Sequence, residues 1–437
     1  MPKWQDSMTQ ELQALNDNQT WSVVDLPKGK KAVGSRWIYK IKFNSNGSIE
    51  RHKAWLVAQG FAQTYGIDYK ETFTPVAKMN TVRNAFLHVE LEKEVYMKLL
   101  PGHPREKESN KVCRLHKALY GLKQSPKAWY SKLSSVLKAA GFQKSHVDSS
   151  LFIRSGNIGK LVVLIYVDDL IITGDNVSEI TALKQSLHKK FAIKDLGNLK
   201  HFLGIEVATS SKQLFLNQRK YVLDLLDEAN ITECKPARTP LASKLQLHEK
   251  RESLSDPSVY QRVVGKLIYL TITRPDISYS VSLASQFMHS PTLVHWEIVK
   301  RILRYLKSSV GKGILMKNNG SNHIKAYTDA NWAGNAIVRK STAGFCTFVG
   351  GNLVTWKSKK QTVVARCNAE AEYRAMAATT CEFIWLKGLL SDLGFTSNTP
   401  MSLFCDNQAA MHIASNSVFH ERTKYIEVDS HYIHAQV

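Results

Sequence analysis

Apolar residues at Trp4, Met8, Leu12 and Leu15 recur at helical spacing, so the chain opens with a helix over Trp4–Asn16. The period then shortens. Trp21–Val24, Trp37–Phe43 and Ala54–Ala58 read as strands, divided by the turn signals Pro27-Lys28-Gly29 and Asn44-Ser45-Asn46-Gly47. Residues 65–96 read as a loop entering a helix, joined directly to a second helix that ends in a short strand. Arg114–Tyr130 is a basic amphipathic segment that Gly121 and Pro126 break into two pieces, and the helix Ser131–Ala140 after it stops at Gly141. A strand over Ser150–Arg154 leads into Leu161–Asp175, in which two apolar runs flank the adjacent carboxylates Asp168 and Asp169. That pattern is a buried hairpin with two acids at its tip.

Helical period returns over Val177–Phe191, a second hairpin over Phe202–Val207 and Gln213–Leu216, and a helix over Lys220–Ala229. The polar stretch Lys235–Ser258 holds three prolines and reads as a linker. Helices at Val259–Leu270, Asp276–His289 and Thr292–Ser308 follow, the last with Arg301, Arg304 and Lys307 on one side. From Ala326 the order becomes strand, hairpin, long helix over Glu370–Leu390, strand and helix, an α/β arrangement.

At 437 residues the chain is too long for one core, so two to three domains are expected. Its charge is the unusual quantity. Lys plus Arg number 59 against 37 for Asp plus Glu, a net +22, with a pI near 9.6. Such an excess points to a polyanionic partner, nucleic acid first and an acidic membrane second. Lys28, Lys30, Lys31, Arg36, Lys40, Lys42, Arg51 and Lys53 crowd the first strands, as either a nucleic-acid surface or a solvated basic face. No apolar run is long enough to span a membrane. The first residues read as neither a secretory nor a transit peptide, so the expected place is intracellular, cytoplasm or nucleus. Six cysteines without a CxxC argue against a disulfide framework or a zinc cluster.

Two acids at a hairpin tip are costly unless a cation neutralises them, and Mg²⁺ suits carboxylate oxygens. The alternative is a solvated turn. A second acid set follows the last strands: Asp329 ends the strand from Ile324, Glu370 and Glu372 open the long helix, and Asp406 ends the strand Ser402–Cys405. Glu427 and Asp429 lie near the C-terminus. Acids at the ends of adjacent strands and the start of a facing helix can converge on two divalent ions that activate water against a phosphodiester. Helix-terminus acids and an Asx turn are the alternative for each one singly.

These motifs resemble the reverse transcriptase and ribonuclease H region of copia-type LTR retrotransposon Pol polyproteins, of the kind abundant in plant genomes. The residues that carry the resemblance are HKAWLVAQGF at His52–Phe61, IDYKETFTPVAK at Ile67–Lys78, RLHKALYGLKQSPKAWY at Arg114–Tyr130, YVDD at Tyr166–Asp169 and FLGIEV at Phe202–Val207. YTDANWAG at Tyr327–Gly334, EAEYRA at Glu370–Ala375 and DNQAA at Asp406–Ala410 continue it, so it covers nearly the whole chain. It implies an α+β right-hand polymerase of palm, fingers and thumb, followed by an α/β ribonuclease H-like domain. Fingers and palm would occupy 1–230, a mainly helical thumb or connection 231–321, and the ribonuclease H-like domain 322–437, cut short at its C-terminus. It also implies Mg²⁺ or Mn²⁺ on Asp168 and Asp169 for nucleotide addition, and on Asp329, Glu372 and Asp406 for RNA-strand cleavage, with Glu427 or Asp429 as a fourth acid. Lys53 and Lys123 would meet the cofactor phosphates. The implied partners are RNA, DNA, their hybrid and dNTP, without a membrane.

The resemblance also shows departures. The third palm acid of the family falls at Thr81, because a helix and a strand are missing between Arg83 and Asn84. A hydroxyl does not replace a carboxylate on a hard cation, so polymerase activity is expected to be absent. Trp55 stands where the family usually has Arg. In the last third, Asn331, Cys367-Asn368 and Tyr425 stand where Asp, two Ser and His are usual.

Overall fold

A computed structural model describes residues 2–43, 48–64, 90–100, 108, 110–167, 169–191, 193–243, 252–335, 338–396 and 399–415. The chain forms two compact units, Met1–Leu196 and Gly197–Val437. This division falls before the second hairpin, whereas the domain bounds that the resemblance implies include one at 230. The reason is a strand pairing described below.

The first unit opens with helix α1 (Pro2–Asp17), followed by strands β1 (Trp21–Asp25), β2 (Ala32–Val33), β3 (Ser35–Phe43) and β4 (Ile49–Ala58). β3 and β4 pair antiparallel as a long hairpin. Strands β5 (Glu90–Lys98) and β6 (Lys111–Lys117) complete a sheet of order β1-β6-β5-β2. The helix expected before Tyr96 is a strand from Glu90 onward. Val95 and Met97 are buried with Cys113 and Leu115 of β6, and this pairing outweighs a helical spacing. Helix α2 (Ser125–Ala139) begins six residues before the sequence reading placed it. Pro126 sits in its first turn, where the missing N–H costs nothing, so it starts the helix instead of breaking the segment. Gly141 follows at φ +85°, the left-handed C′ position. Strands β7 (Gln143–Lys144), β8 (Leu151–Gly156), β9 (Gly159–Tyr166) and β10 (Asp169–Gly174) form a sheet of order β10-β9-β8-β7, and helix α3 (Val177–Phe191) packs on it. Trp129, Leu133 and Leu137 of α2, Phe152, Leu161 and Val163 of the sheet, and Leu187 and Phe191 of α3 make this core.

The second unit begins with β11 (His201–Phe202), β12 (Ile205–Thr209) and β13 (Gln213–Asn217), then helices α4 (Arg219–Glu228), α5 (Pro257–Leu270), α6 (Ser278–Ser285) and α7 (Leu293–Lys307), then β14 (Gly313–Lys317). β13 pairs antiparallel with β14, which ties the 205–217 hairpin to the strand that follows the helices in the chain and draws it into this unit. The expected linker is a strap over much of its described length. Arg301 donates to Thr239 Oγ1 at 2.8 Å, Arg304 to the Lys235 carbonyl at 2.7 Å and Lys307 to the Cys234 carbonyl at 2.7 Å. The cations on α7 therefore hold a neighbouring segment of their own chain. Arg274, 2% exposed, is paired with Asp276 through two bonds of 2.9 and 2.7 Å and donates to Ser309 as well.

The unit ends in strands β15 (Ile324–Asn331), β16 (Thr342–Val349) and β17 (Asn352–Lys360), the long helix α8 (Asn368–Asp392), strand β18 (Ser402–Phe404) and helix α9 (Gln408–Ser415). Sheet order is β17-β16-β15-β18, antiparallel except for the parallel pair β15–β18. Along β15, Ile324, Ala326, Thr328 and Ala330 are buried, while Tyr327, Asp329 and Asn331 are exposed. Ala330 packs with Ala371 and Ala375 of α8, and Ile324 and Ala326 pack with Phe383 and Leu386 further along the same helix. Among the described residues, no helix is long and apolar enough to cross a membrane.

Candidate metal centres

The first candidate is the hairpin tip of the first unit. Tyr166 of β9 and Asp169 of β10 are cross-strand partners. Val167 lies at φ +53°, a strained place for a β-branched residue, and a right-twisting hairpin asks for it. The indole of the fully buried Trp129 donates to the Val167 carbonyl at 2.5 Å, fixing the turn against α2. Asp169 opens β10 and is half-buried. Asp168, the other acid of the pair, lies outside the described residues, as does Thr81.

The cations expected near nucleotide phosphates have protein contacts. Lys123 donates through its backbone to Gln63 Oε1 at 2.9 Å and through Nζ to the Gln63 carbonyl at 3.4 Å. Lys53 Nζ sits 4.3 Å from the centre of the Trp55 ring, a cation–π contact in the place where the family has an Arg. The loop that presents Lys123 lies against β4 through glycines. Ala58 N–H donates to the Tyr120 carbonyl at 2.8 Å, and a Cβ on Gly121 (φ +92°) would meet the Ala58 oxygen at 2.1 Å.

The second candidate is assembled from three elements of the second unit. Parallel pairing sets Tyr327 opposite Phe404, and two residues further on stand Asp329 and Asp406. Both strands run toward the same edge, so both acids reach the carboxyl ends of a parallel pair, a common place for sites. Glu372, one turn into α8 and 2% exposed, accepts the Ala330 N–H at 3.1 Å. Glu370 is used differently. It accepts the Arg366 N–H at 2.7 Å and pairs with Arg374 at 3.0 Å, so it caps its helix and leaves Glu372 to face the strand ends. Asn407 accepts the Ala410 N–H at 2.9 Å and caps α9, while Asp406 beside it is exposed.

Donor atoms of Glu372, Cys405 and Asp406 all lie within 4.8 Å of one another. Asp329 stands outside this tight group. Strand alternation turns it to the face opposite α8, from which Glu372 arrives. It is still near enough to act electrostatically: burial pushes the Glu372 carboxyl above its usual range, the Ala330 N–H works against this, and the charges of Asp329 and Asp406 add to the rise. Like charges converging on a buried carboxylate fit a site for a divalent cation. Sequence reasoning passed over Cys405, because an isolated cysteine gives no metal-ligand spacing. Its position directly before Asp406 was the only signal. Glu427 and Asp429 lie outside the described residues.

A family model described as reverse transcriptase (RNA-dependent DNA polymerase) matches residues 18–84 and 81–243, more than half of the chain, in two stretches that overlap at 81–84. The chain belongs to the reverse transcriptase family of copia-type retrotransposon Pol polyproteins. Among curated relatives of this family, it is 42% identical to the Retrovirus-related Pol polyprotein from transposon RE2 of Arabidopsis thaliana, over all of this chain and 31% of that protein. It is 38% identical to that from transposon TNT 1-94 of Nicotiana tabacum, over 99% of this chain and 35% of that protein. The chain thus spans about a third of the length of these relatives. A solved foamy viral protease-reverse transcriptase dRH in complex with ds DNA shares the fold at 12% identity and a TM-score of 0.50, over 98% of this chain and 67% of that one.

Proposed function

We propose that this chain is the reverse transcriptase–ribonuclease H portion of a copia-type element in which polymerase chemistry has been lost and cleavage of the RNA strand of an RNA–DNA hybrid is the activity retained. The parent activity is the copying of element RNA into DNA from dNTPs. The observation that carries the reading is the meeting of Glu372 from α8 with Asp406 at the end of β18, with Asp329 of β15 near enough for its charge to act on Glu372. The α/β order and the parallel β15–β18 pair support a ribonuclease H-like domain. Mg²⁺ or Mn²⁺ bound there would activate a water and stabilise the leaving oxygen of the phosphodiester. The chain's own part is orientation. Ala330 N–H fixes the Glu372 carboxylate, the cap at Asn407 places Asp406 at the strand end, and Asp329 is exposed on β15.

Loss of polymerase chemistry rests on the junction near 83–84. The family model breaks into two matches there. The RE2 alignment runs over 457 positions against the 437 residues of this chain, so about twenty positions of the relative have no counterpart. This supports a deletion that took the third palm acid and left Thr81 in its place. Asp168 and Asp169 then lack the partner that two-metal nucleotide transfer needs.

A second reading is a nucleic-acid-binding remnant without catalysis, favoured by the net charge of +22. A gel-shift on an RNA–DNA hybrid with Mg²⁺, repeated with Asp329→Asn and Asp406→Asn, separates the two. Metal-dependent cleavage lost in both variants supports the ribonuclease. Binding without cleavage in the unsubstituted chain sinks it and leaves the remnant.

A further inference from the structure

The donors beside the candidate ribonuclease centre are not all oxygens. Cys405 follows β18 directly, its Sγ lies 3.9 Å from Glu372 Oε2, and it accepts the Asn407 N–H at 3.5 Å. Its thiol, the Glu372 carboxylate and an Asp406 oxygen form the mixed group within 4.8 Å already described. Around one tetrahedral zinc-type ion, a sulfur and an oxygen ligand lie about 3.5 Å apart, given bonds of about 2.3 and 2.0 Å. The observed 3.9 Å needs a closure of only a few tenths of an ångström. Two carboxylates and a thiolate suit Mg²⁺ poorly, because it requires oxygen donors in octahedral array. They suit zinc-class ions well, since these accept both donor types and bind more tightly than hard ions at equal charge.

We propose that Glu372, Cys405 and Asp406 bind a thiophilic divalent cation of the zinc class, which displaces Mg²⁺ and holds the centre in a form that does not cleave. The proposal rests on the reading of this cluster as a metal centre. Binding forms a metal–sulfur bond, the thiol proton leaves to solvent, and no electrons are transferred. Through Cys405 the site discriminates between ions in a way that its carboxylates alone would not.

The test uses the full chain with its cysteines reduced. Zn²⁺ is added over an excess of Mg²⁺, and alkylation of each cysteine is followed by mass spectrometry. Labelling of Cys405 is expected to slow by about tenfold or more, while the exposed Cys367 and Cys381 are unaffected and serve as internal references. In parallel, Cd²⁺ should give a sulfur-to-metal charge-transfer band that persists in Cys367→Ser/Cys381→Ser and is lost in Cys405→Ser. Glu372→Gln should weaken the ion's protection of Cys405 by a similar factor. Unchanged Cys405 labelling with Zn²⁺, or protection that Glu372→Gln leaves intact, overturns the proposal. Neither readout depends on hybrid cleavage. Protection by Zn²⁺ together with no cleavage in Mg²⁺ alone supports the metal site and sinks only the ribonuclease reading, whereas cleavage in Mg²⁺ alone with no protection by Zn²⁺ sinks only the role of the thiol.

Discussion

The chain carries two sets of carboxylates, built in opposite ways. The set in the first unit is a pair adjacent in sequence, of which Asp169 opens β10 close to Val167, whose carbonyl is held by Trp129. The set in the second unit draws one acid each from β15, α8 and the end of β18, and its members are far apart in sequence. Adjacency makes the first set conspicuous, yet the pair still depends on a third acid supplied from elsewhere in the chain. On the reading proposed above, one deletion at a distance disarms it without touching the hairpin. The distributed set has no such single motif, but its members come from elements that also form the core, so on the same reading keeping the fold keeps the proposed site. A third arrangement gives the scale. Asp276 has its cation within the chain, in Arg274, whereas the described residues around Glu372 bring it like charges.

The comparison breaks most directly at Glu372. Glu372→Gln should lower Mg²⁺-dependent cleavage of an RNA–DNA hybrid by about a hundredfold or more, measured as single-turnover rate. A loss of less than about threefold would remove the distributed set from the chemistry. In the first unit the corresponding large effect is on stability. Trp129→Ala should destabilise that unit by about 3–5 kcal/mol in denaturant unfolding, through lost packing against Phe191 and the lost bond to the turn. A cost under about 1 kcal/mol would mean the turn is not braced in this way.

A smaller effect sharpens the contrast between acids with and without an internal cation. Burial alone would raise the Asp276 carboxyl, but bonds from Arg274 and Tyr305 outweigh it and hold the group below its usual range. A carboxyl depressed on folding contributes stability that is present above its unfolded value, about 3.9, and lost as pH falls through the folded one. The melting temperature of the second unit should therefore drop more steeply below about pH 4 in the parent chain than in Asp276→Asn. Parallel curves would show that the pair is not linked to folding. The smallest expected effect is none. Asp169→Asn should leave template-directed dNTP incorporation at the same background as the parent, with Mg²⁺ or Mn²⁺. Incorporation above background by the parent chain would restore the hairpin as a working site.

Much of this was legible without coordinates. Alternation along Ile324–Asn331 and the apolar runs around Asp168 and Asp169 mark strands, because a half-buried or buried strand has to repeat with period two or run apolar throughout. Gly141 marks a helix end because few other residues take φ +85° readily. Pro126 was misread because the same residue breaks a helix interior and starts a helix, and only the position of the first turn decides which. Glu90–Lys98 was misread because what makes it a strand is its pairing with β6, a contact with residues more than ten positions on that no local spacing records.

The sequence by itself determined the family, the basic character that favours a polyanion and the identity of most acids that could hold metal, since each follows from residue type and local order. Tertiary structure decided the rest. It tied the 205–217 hairpin to β14 and so moved the division of the chain to 196/197. It assigned Glu370 to Arg374 and Glu372 to the strand ends. It put Asp329 on the opposite face from α8, and it brought in the thiol of Cys405. These are matters of which side chains meet across elements distant in sequence, and that is fixed by packing and register, which no local pattern encodes.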